Sequence, residues 1–160
     1  MIPDSVMSVG IGAFDGCDKL YVSDENGFYV ATKSNRYAIF IKPKNNVTSI
    51  KIHDNCKIVG SAAFMNCSSL ESVILPDSVK SIGSHAFYGC KNLKSITLPA
   101  VMLSRGNERT TFFGCYSFLN VVFGGTKKEW LDYNIGEISA TGAATVYCSD
   151  GELKFAFLNE

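Results

Sequence analysis

An internal repeat limits the fold of this chain more than any other feature of its sequence. Residues 52–75 align with residues 75–98 at a constant offset of 23 residues, so the same residue types recur at equivalent positions. The paired positions are Gly60 and Gly83, Phe64 and Phe87, Cys67 and Cys90, Leu70 and Leu93, and Val73 and Ile96. A unit of this size cannot bury its apolar side alone, so successive copies must stack. The repeat therefore predicts a solenoid.

Two further copies flank this pair. An earlier copy, PDSVMSVGIGAFDGCDKL, begins at Pro3 and places Phe14, Cys17 and Leu20 at the equivalent positions. A later copy begins at Pro99 and is longer by two residues; it uses Phe112, Cys115, Phe118, Val121 and Phe123. We therefore interpret residues 1–22 and 47–123 as four copies.

Each copy is predicted to contain a short strand, a turn and a single helical turn. Leu70, Val73 and Leu75 alternate as the inward side chains of a strand would, and Pro76 ends that strand. The stretch from Ala86 to Cys90 is too short for a regular helix, so we expect one helical or 3₁₀ turn that buries its phenylalanine. The fold class we expect is α/β, mostly β, with a parallel sheet.

The recurring elements PDSV, I-G, A-F, G-C and a closing L-x-x-I-x-L-P resemble the BspA-type leucine-rich repeat family of bacterial and protist surface proteins. The resemblance implies a leucine-rich repeat solenoid that has no catalytic activity and no cofactor. It also implies adhesion or protein binding at a cell surface or outside the cell, with partners such as a host extracellular or surface protein. Three features depart from the family pattern: an insertion after the first copy, the irregular segment 101–111, and a start (Met1, Ile2, Pro3, Asp4) that shows no export signal.

The insertion separates the first copy from the second. Phe14 and Phe64 are 50 residues apart, which is one period of 23 residues plus 27 more. Within residues 23–46, two apolar runs, Phe28–Ala31 and Tyr37–Ile41, are separated by five polar residues. This pattern predicts a β-hairpin that projects from the solenoid or lies along it.

A different pattern begins at Gly124, where the repeat stops. Thr126 and Glu129 form a capping box that opens a short helix with Trp130, Tyr133 and Asn134 on one face. Two runs, Thr145–Cys148 and Leu153–Leu158, then predict a second hairpin. We interpret residues 124–160 as a cap on one leucine-rich repeat domain spanning residues 1–160. Because the chain begins inside a repeat, we expect it to be a fragment of a longer chain.

Charge and hydropathy exclude two classes of partner. Lys and Arg together number 15, Asp and Glu also number 15, and no segment is strongly basic. Nucleic-acid binding needs a dense basic face, so it is not expected. No apolar run approaches the roughly 18 residues of a membrane-spanning helix, so membrane insertion is not expected either.

The cysteines and histidines do not form a recognisable chemical site. Four of the six cysteines, Cys17, Cys67, Cys90 and Cys115, share one repeat position, and the gaps between them do not suit a structural zinc site. We interpret them as buried free thiols, with disulfides or a metal site as the alternatives. His53 and His85 fall at turn positions that we take to tolerate substitution. Gly124–Thr126 could bind an anion at a helix N-terminus, although a turn followed by a cap explains the segment better.

Strands that repeat in register would place their outward side chains in columns across the sheet. Ser49, Ser72, Ser95 and Asn120 make one predicted column, and Lys51, Ile74, Thr97 and Val122 make the next. Such a shallow, weakly charged surface suits a protein partner better than a small molecule. The first hypothesis is thus a binding module that uses this face. The alternatives are a structural spacer that displays another domain, and an enzyme whose pocket is built by the insertion and the cap.

Overall fold

The computed structural model describes residues 2–44, 47–100, 108–132 and 144–155. Predicted features at Tyr133, Asn134, residues 101–107 and residues 156–158 lie outside this range. The strands are β1 (Tyr21–Ser23), β2 (Gly27–Val30), β3 (Ile39–Pro43), β4 (Ser49–Lys51), β5 (Ile58–Val59), β6 (Ser72–Ile74), β7 (Ser81–Ile82), β8 (Ser95–Leu98), β9 (Asn120–Phe123), β10 (Ala144–Cys148) and β11 (Gly151–Phe155). The helices are short: α1 (Glu108–Thr111), α2 (Lys127–Asp132) and a 3₁₀ turn at Asp18–Leu20.

The strands form two sheets along the stack. The larger sheet has the order β11-β10-β9-β8-β6-β4, and its strands from β4 to β10 are parallel. The smaller sheet has the order β1-β2-β3-β5-β7, in which β3, β5 and β7 are parallel. The second and third copies each give one strand to each sheet, so equivalent residues become neighbours. The predicted solenoid with a parallel sheet is confirmed.

A column of stacked phenylalanine rings runs through the core. The ring centroids of Phe64 and Phe87 are 4.9 Å apart, and those of Phe87 and Phe112 are 5.3 Å apart, with nearly parallel planes. These separations are close to the roughly 4.8 Å between paired strands, because each copy contributes one ring at the same height. The repeat thus sets both the backbone spacing and the core packing.

The first member of this column is not the phenylalanine that the repeat predicts. Phe40, from the insertion, stacks on Phe64 with a centroid distance of 4.8 Å and is fully buried. Phe14 is only half-buried and packs in a separate small cluster with Val30, Ile39 and others. The prediction that Phe14 shares the environment of Phe64 is therefore wrong, because β3 occupies the place beside the second copy.

The insertion is built into the smaller sheet. β2 and β3 pair antiparallel, with a register shift at Phe28/Tyr29, and β1 pairs with the other edge of β2. β3 also pairs in parallel with β5, through Ile39 with Ile58 and Phe40 with Val59. Ala31 and Tyr37, which the predicted hairpin strands include, lie outside β2 and β3. The insertion thus lies along the solenoid and supplies part of its core.

One turn position has a left-handed backbone in each of the first three copies. Gly12, Ala62 and His85 are equivalent, and their φ angles are +70°, +57° and +57°. Among L residues this conformation is strained, whereas glycine adopts it freely. The His85 Nδ1 atom is also buried and has no hydrogen-bond partner. His85 therefore lies at a turn, as predicted, and its left-handed backbone limits the residues that can occupy the position without strain.

At the other end of the stack, β10 extends the larger sheet beyond the repeat. Thr126 donates from its backbone N–H to Glu129 Oε2 (2.7 Å), and the Glu129 N–H donates back to Thr126 Oγ1 (3.2 Å). This reciprocal capping box begins α2, which buries Trp130 against Phe123. The helix thereby covers the apolar side of the last repeat.

Candidate functional site

The outward residues of the larger sheet stand in register, as the repeat predicts. Parallel pairing joins Ser49 to Ser72, Ser72 to Ser95, and Ser95 to Asn120. The second column is joined in the same way, in the order Lys51, Ile74, Thr97 and Val122. The residues between the two columns, Ile50, Val73, Ile96 and Val121, are buried because successive side chains in a strand point to opposite faces.

Both columns continue onto β10. Thr145 pairs with Asn120, and Tyr147 pairs with Val122. Sequence reasoning missed these two residues because β10 lies beyond the last copy and has no period to reveal its register. We call the ten outward residues of the two columns the sheet strip; they are Ser49, Lys51, Ser72, Ile74, Ser95, Thr97, Asn120, Val122, Thr145 and Tyr147.

One column of the sheet strip is mainly apolar and accessible. The exposed fractions are 43% for Ile74, 46% for Val122 and 45% for Tyr147. Thr97 stands between the first two of these and adds a methyl group. The neighbouring column consists of hydroxyl and amide side chains, which can exchange hydrogen bonds with a partner.

Ion pairs lie at the two ends and along one side of the sheet strip. Lys51 contacts Asp54 (3.0 Å) at one end, and Lys154 contacts Glu152 (3.0 Å) on β11 at the other. A third pair, Lys94 with Glu71 (2.9 Å), lies immediately before β8 and β6. All these side chains are substantially exposed, so the pairs add little to stability. The resulting surface has an apolar centre and a polar rim, the arrangement found in protein interfaces.

The cysteine thiols serve packing. The Sγ atoms of Cys90 and Cys115 each donate to a carbonyl oxygen of the preceding copy, Phe64 O and Phe87 O respectively, at 3.0 Å. Cys90 and Cys115 are buried as expected, but Cys17 and Cys67 are only half-buried. All six cysteines are free thiols. Across the described ranges, no three His, Cys, Asp or Glu side chains are grouped closely enough to hold a metal ion.

Cys56 and His53 lie in packing and hydrogen-bond contacts between the second copy and the insertion. Burial raises the pKa of the Cys56 thiol to about 12, so it is not a thiolate at neutral pH. The His53 ring stacks on Tyr37 (3.9 Å between centroids). The His53 backbone N–H donates to the Tyr29 hydroxyl, which donates to Asp24. These contacts tie the second copy to the insertion.

The start of α2 already has its own anions. Glu129 accepts the N–H of Thr126, and Asp150 Oδ1 accepts the N–H of Lys127 at 2.8 Å. These carboxylates occupy the place that a bound anion would take. The alternative of an anion site at Gly124–Thr126 is therefore not supported.

Comparison with known proteins adds the following. A model of the BspA type leucine rich repeat region matches residues 35–137 in six copies, which is more than half of the chain. The matched region includes β3 and excludes the first copy. The crystal structure of a leucine rich cell surface protein from Faecalibacterium prausnitzii A2-165 is similar, at 21% identity and a TM-score of 0.44 over 85% of this chain. This chain spans about half (50%) of that protein's length.

No curated protein sequence matches the chain significantly. In the part of the chain that the structure describes, no helix has both the length and the hydropathy needed to cross a membrane.

Proposed function

Because the chain belongs to the BspA-type leucine-rich repeat family, we propose that it is a noncatalytic protein-binding module and that the sheet strip is its binding surface. The observation that carries this proposal is the apolar column Ile74, Thr97, Val122 and Tyr147, which stands in register across four strands and in which Ile74, Val122 and Tyr147 are exposed. Aromatic and aliphatic side chains inside a polar rim are the usual centre of a protein interface.

The composition of the strip favours a protein partner over other classes. Lys51 is the only charged member of the strip, and it is already paired with Asp54. A surface with so little net charge does not attract phosphate backbones. Its shallow form also contrasts with the concave pockets that enclose small molecules. We further propose that the protein acts at a cell surface or outside the cell, in adhesion to a host extracellular or surface protein.

Binding to host proteins provides the direct test. The labelled chain is applied to cultured epithelial cells and to immobilised extracellular-matrix proteins, and bound protein is quantified. The double variant Ile74→Glu/Thr97→Glu places two carboxylates in the apolar column, and we expect it to weaken binding at least about tenfold. Leu131→Glu is the matched control, because Leu131 is an exposed apolar residue (57%) that lies on α2, outside the sheet strip.

The outcomes separate the proposal from its alternatives. Unchanged binding by a folded double variant would show that another face binds the partner. No binding by the unmodified chain would instead favour the structural spacer that displays another domain. Circular dichroism and thermal unfolding establish that each variant is folded.

A further inference from the structure

We call the second, third and fourth copies the regular copies. Besides the two sheets, a third set of backbone hydrogen bonds joins each regular copy to the next. The N–H groups of Ala62, Phe64 and Asn66 donate to Ser84 O (2.9 Å), Ala86 O (2.7 Å) and Tyr88 O (2.7 Å) of the next copy. The series continues from Phe87 to Thr111 and from Gly89 to Phe113. In residues 84–89 of the third copy, C=O groups of alternate residues thus face the second copy, and the N–H groups of Phe87 and Gly89 face the fourth copy.

The corresponding bonds between the first and second copies are not formed. Gly12, Phe14 and Gly16 are equivalent to Ala62, Phe64 and Asn66, but in the described residues their N–H groups have no hydrogen-bond partner. On the facing side, the C=O groups of Ser61, Ala63 and Met65, equivalent to the acceptors of the third copy, accept no hydrogen bond from any described residue. Two complementary rows of backbone groups therefore remain unpaired.

The insertion explains why these rows do not meet. The backbone of β3 occupies the place beside the second copy, where Phe40 O accepts the N–H of Gly60 (2.9 Å). The first copy contacts the second through a bond of different register, from Ser61 N–H to Val9 O (3.1 Å). Past this contact the two copies diverge.

A groove occupies the space where the copies diverge. Its volume is about 230 Å³, and residues 9–15 of the first copy, Lys42 of β3 and residues 60–62 of the second copy line it. A second groove of about 410 Å³ shares Lys42 and Ala62 with the first; it runs along residues 62–69, and its opposite wall is formed by Lys42, Pro43, Lys44 and Val47. Together the two grooves follow the side of the second copy that carries the free C=O groups.

We propose that this groove binds an extended peptide segment of a partner protein, which adds as a further backbone strand between the first and second copies. Carbonyl groups of the peptide would accept from Gly12 and Phe14, and its N–H groups would donate to Ser61 in the first groove and to Ala63 and Met65 along the second. Backbone pairing gives affinity in this mode of recognition, and side chains at the rim give specificity. Ile11, which lines the groove and is 61% exposed, provides an apolar contact.

The cations near the groove do not favour an anionic ligand. The Lys42 Nζ atom lies 5.2 Å from the ring centroid of Tyr21 and 5.5 Å from that of Phe28, where cation–π attraction holds it. The Lys44 Nζ atom donates to the Asp24 backbone carbonyl. Both ammonium groups are thus engaged, while the unpaired backbone groups of the groove remain available to an extended peptide.

The probe for this proposal is a phage-displayed library of random dodecapeptides, selected on the whole chain. Selected peptides are synthesised, and their effect on each backbone amide is measured by NMR and by hydrogen exchange. We expect slower exchange and shifted resonances at Gly12 and Phe14, which line the groove. N-methylation of alternate peptide amides should weaken binding at least about tenfold, because it removes the N–H donors.

A groove-filling variant provides the second measurement. A Cβ atom at Gly10 has no heavy atom within 4 Å, so Gly10→Trp can place a large ring in the groove without a backbone clash. We expect this variant to lose peptide binding, while Lys19→Trp, outside the groove lining, retains it. The sheet-strip variant Ile74→Glu/Thr97→Glu should also retain peptide binding.

Three results would overturn the proposal. The first is that no peptide is enriched on the wild-type chain relative to Gly10→Trp. The second is that the selected peptides perturb only amides outside the groove. The third is that the N-methylated peptide binds with the same affinity as the unmodified one. None of these results bears on the sheet strip, so the two proposals can fail separately.

Discussion

The first copy and the regular copies share a sequence pattern but differ in packing. Leu70 and Leu93 of the regular copies are fully buried, whereas their equivalent Leu20 is 53% exposed. Phe64 and Phe87 stack in the core, whereas Phe14 lies outside that column. The same residue types thus reach different environments within one chain.

The comparison shows that a repeat pattern specifies local conformation more strongly than it specifies neighbours. Gly12 and Gly16 adopt the left-handed backbone of Ala62 and Asn66, so the turns of the first copy resemble those of the second. Stacking, however, needs an adjacent copy in register. β3 takes that place, and the core continues through Phe40.

The largest expected effect tests which phenylalanine belongs to the core. Phe40→Ala and Phe87→Ala each empty a fully buried position and should cost about 3–5 kcal/mol of unfolding free energy. Phe14→Ala removes a half-buried ring and should cost about 1 kcal/mol. Urea denaturation of the three variants measures these differences. A Phe14 variant as unstable as the Phe40 variant would remove the distinction between the copies.

Cysteine reactivity compares equivalent positions without changing the core. Cys17 is half-buried, whereas Cys90 and Cys115 are fully buried. The neighbouring Cys115 thiol and burial also raise the pKa of Cys90. At pH 8, iodoacetamide should therefore modify Cys17 about a hundredfold faster than either buried thiol, because the latter need an opening of the fold. Peptide mass spectrometry gives the rates, and equal rates in urea provide the control.

A glycine substitution tests how closely the copies approach. A Cβ atom on Gly83 would lie 2.4 Å from the backbone N of Ser61 in the preceding copy. Gly83→Ala should therefore force the copies apart and cost about 1–3 kcal/mol. Gly10→Ala, with no atom within 4 Å of the new Cβ, should change stability by less than about 0.5 kcal/mol. Similar midpoints in thermal unfolding for the two variants would contradict the close stacking.

The smallest effect concerns the left-handed turn position. Ala62 has a φ angle of +57°, where the first copy already has Gly12. Ala62→Gly should relieve backbone strain and stabilise the protein by about 0.5–1 kcal/mol, net of the added entropy of the unfolded chain. The same chemical denaturation measures the gain. A loss of stability would mean that the Ala62 methyl group contributes packing that outweighs the strain.

Much of the fold, and eight of the ten residues of the sheet strip, can be predicted from the repeat. The offset between Phe64 and Phe87 predicts both the stacked copies and the register of Ser72 with Ser95. The sequence predicts a hairpin in the insertion. It does not predict that the insertion contributes to the core, because Phe40 joins the column of stacked phenylalanine rings from a strand position outside the period. The place of Tyr147 in the sheet strip could not be predicted for the same reason, since pairing between β9 and β10 joins residues that no repeat relates.

The sequence by itself determined the period, the residues that point inward and the positions that need a turn, because these depend on side-chain type and on spacing along the chain. Only the tertiary structure decided which segment lies beside the second copy. That choice depends on competition between the first copy and β3 for the same backbone groups and apolar surface. β3 pairs with β5 and buries Phe40, and in the first copy the N–H groups of Gly12, Phe14 and Gly16 have no partner among the described residues.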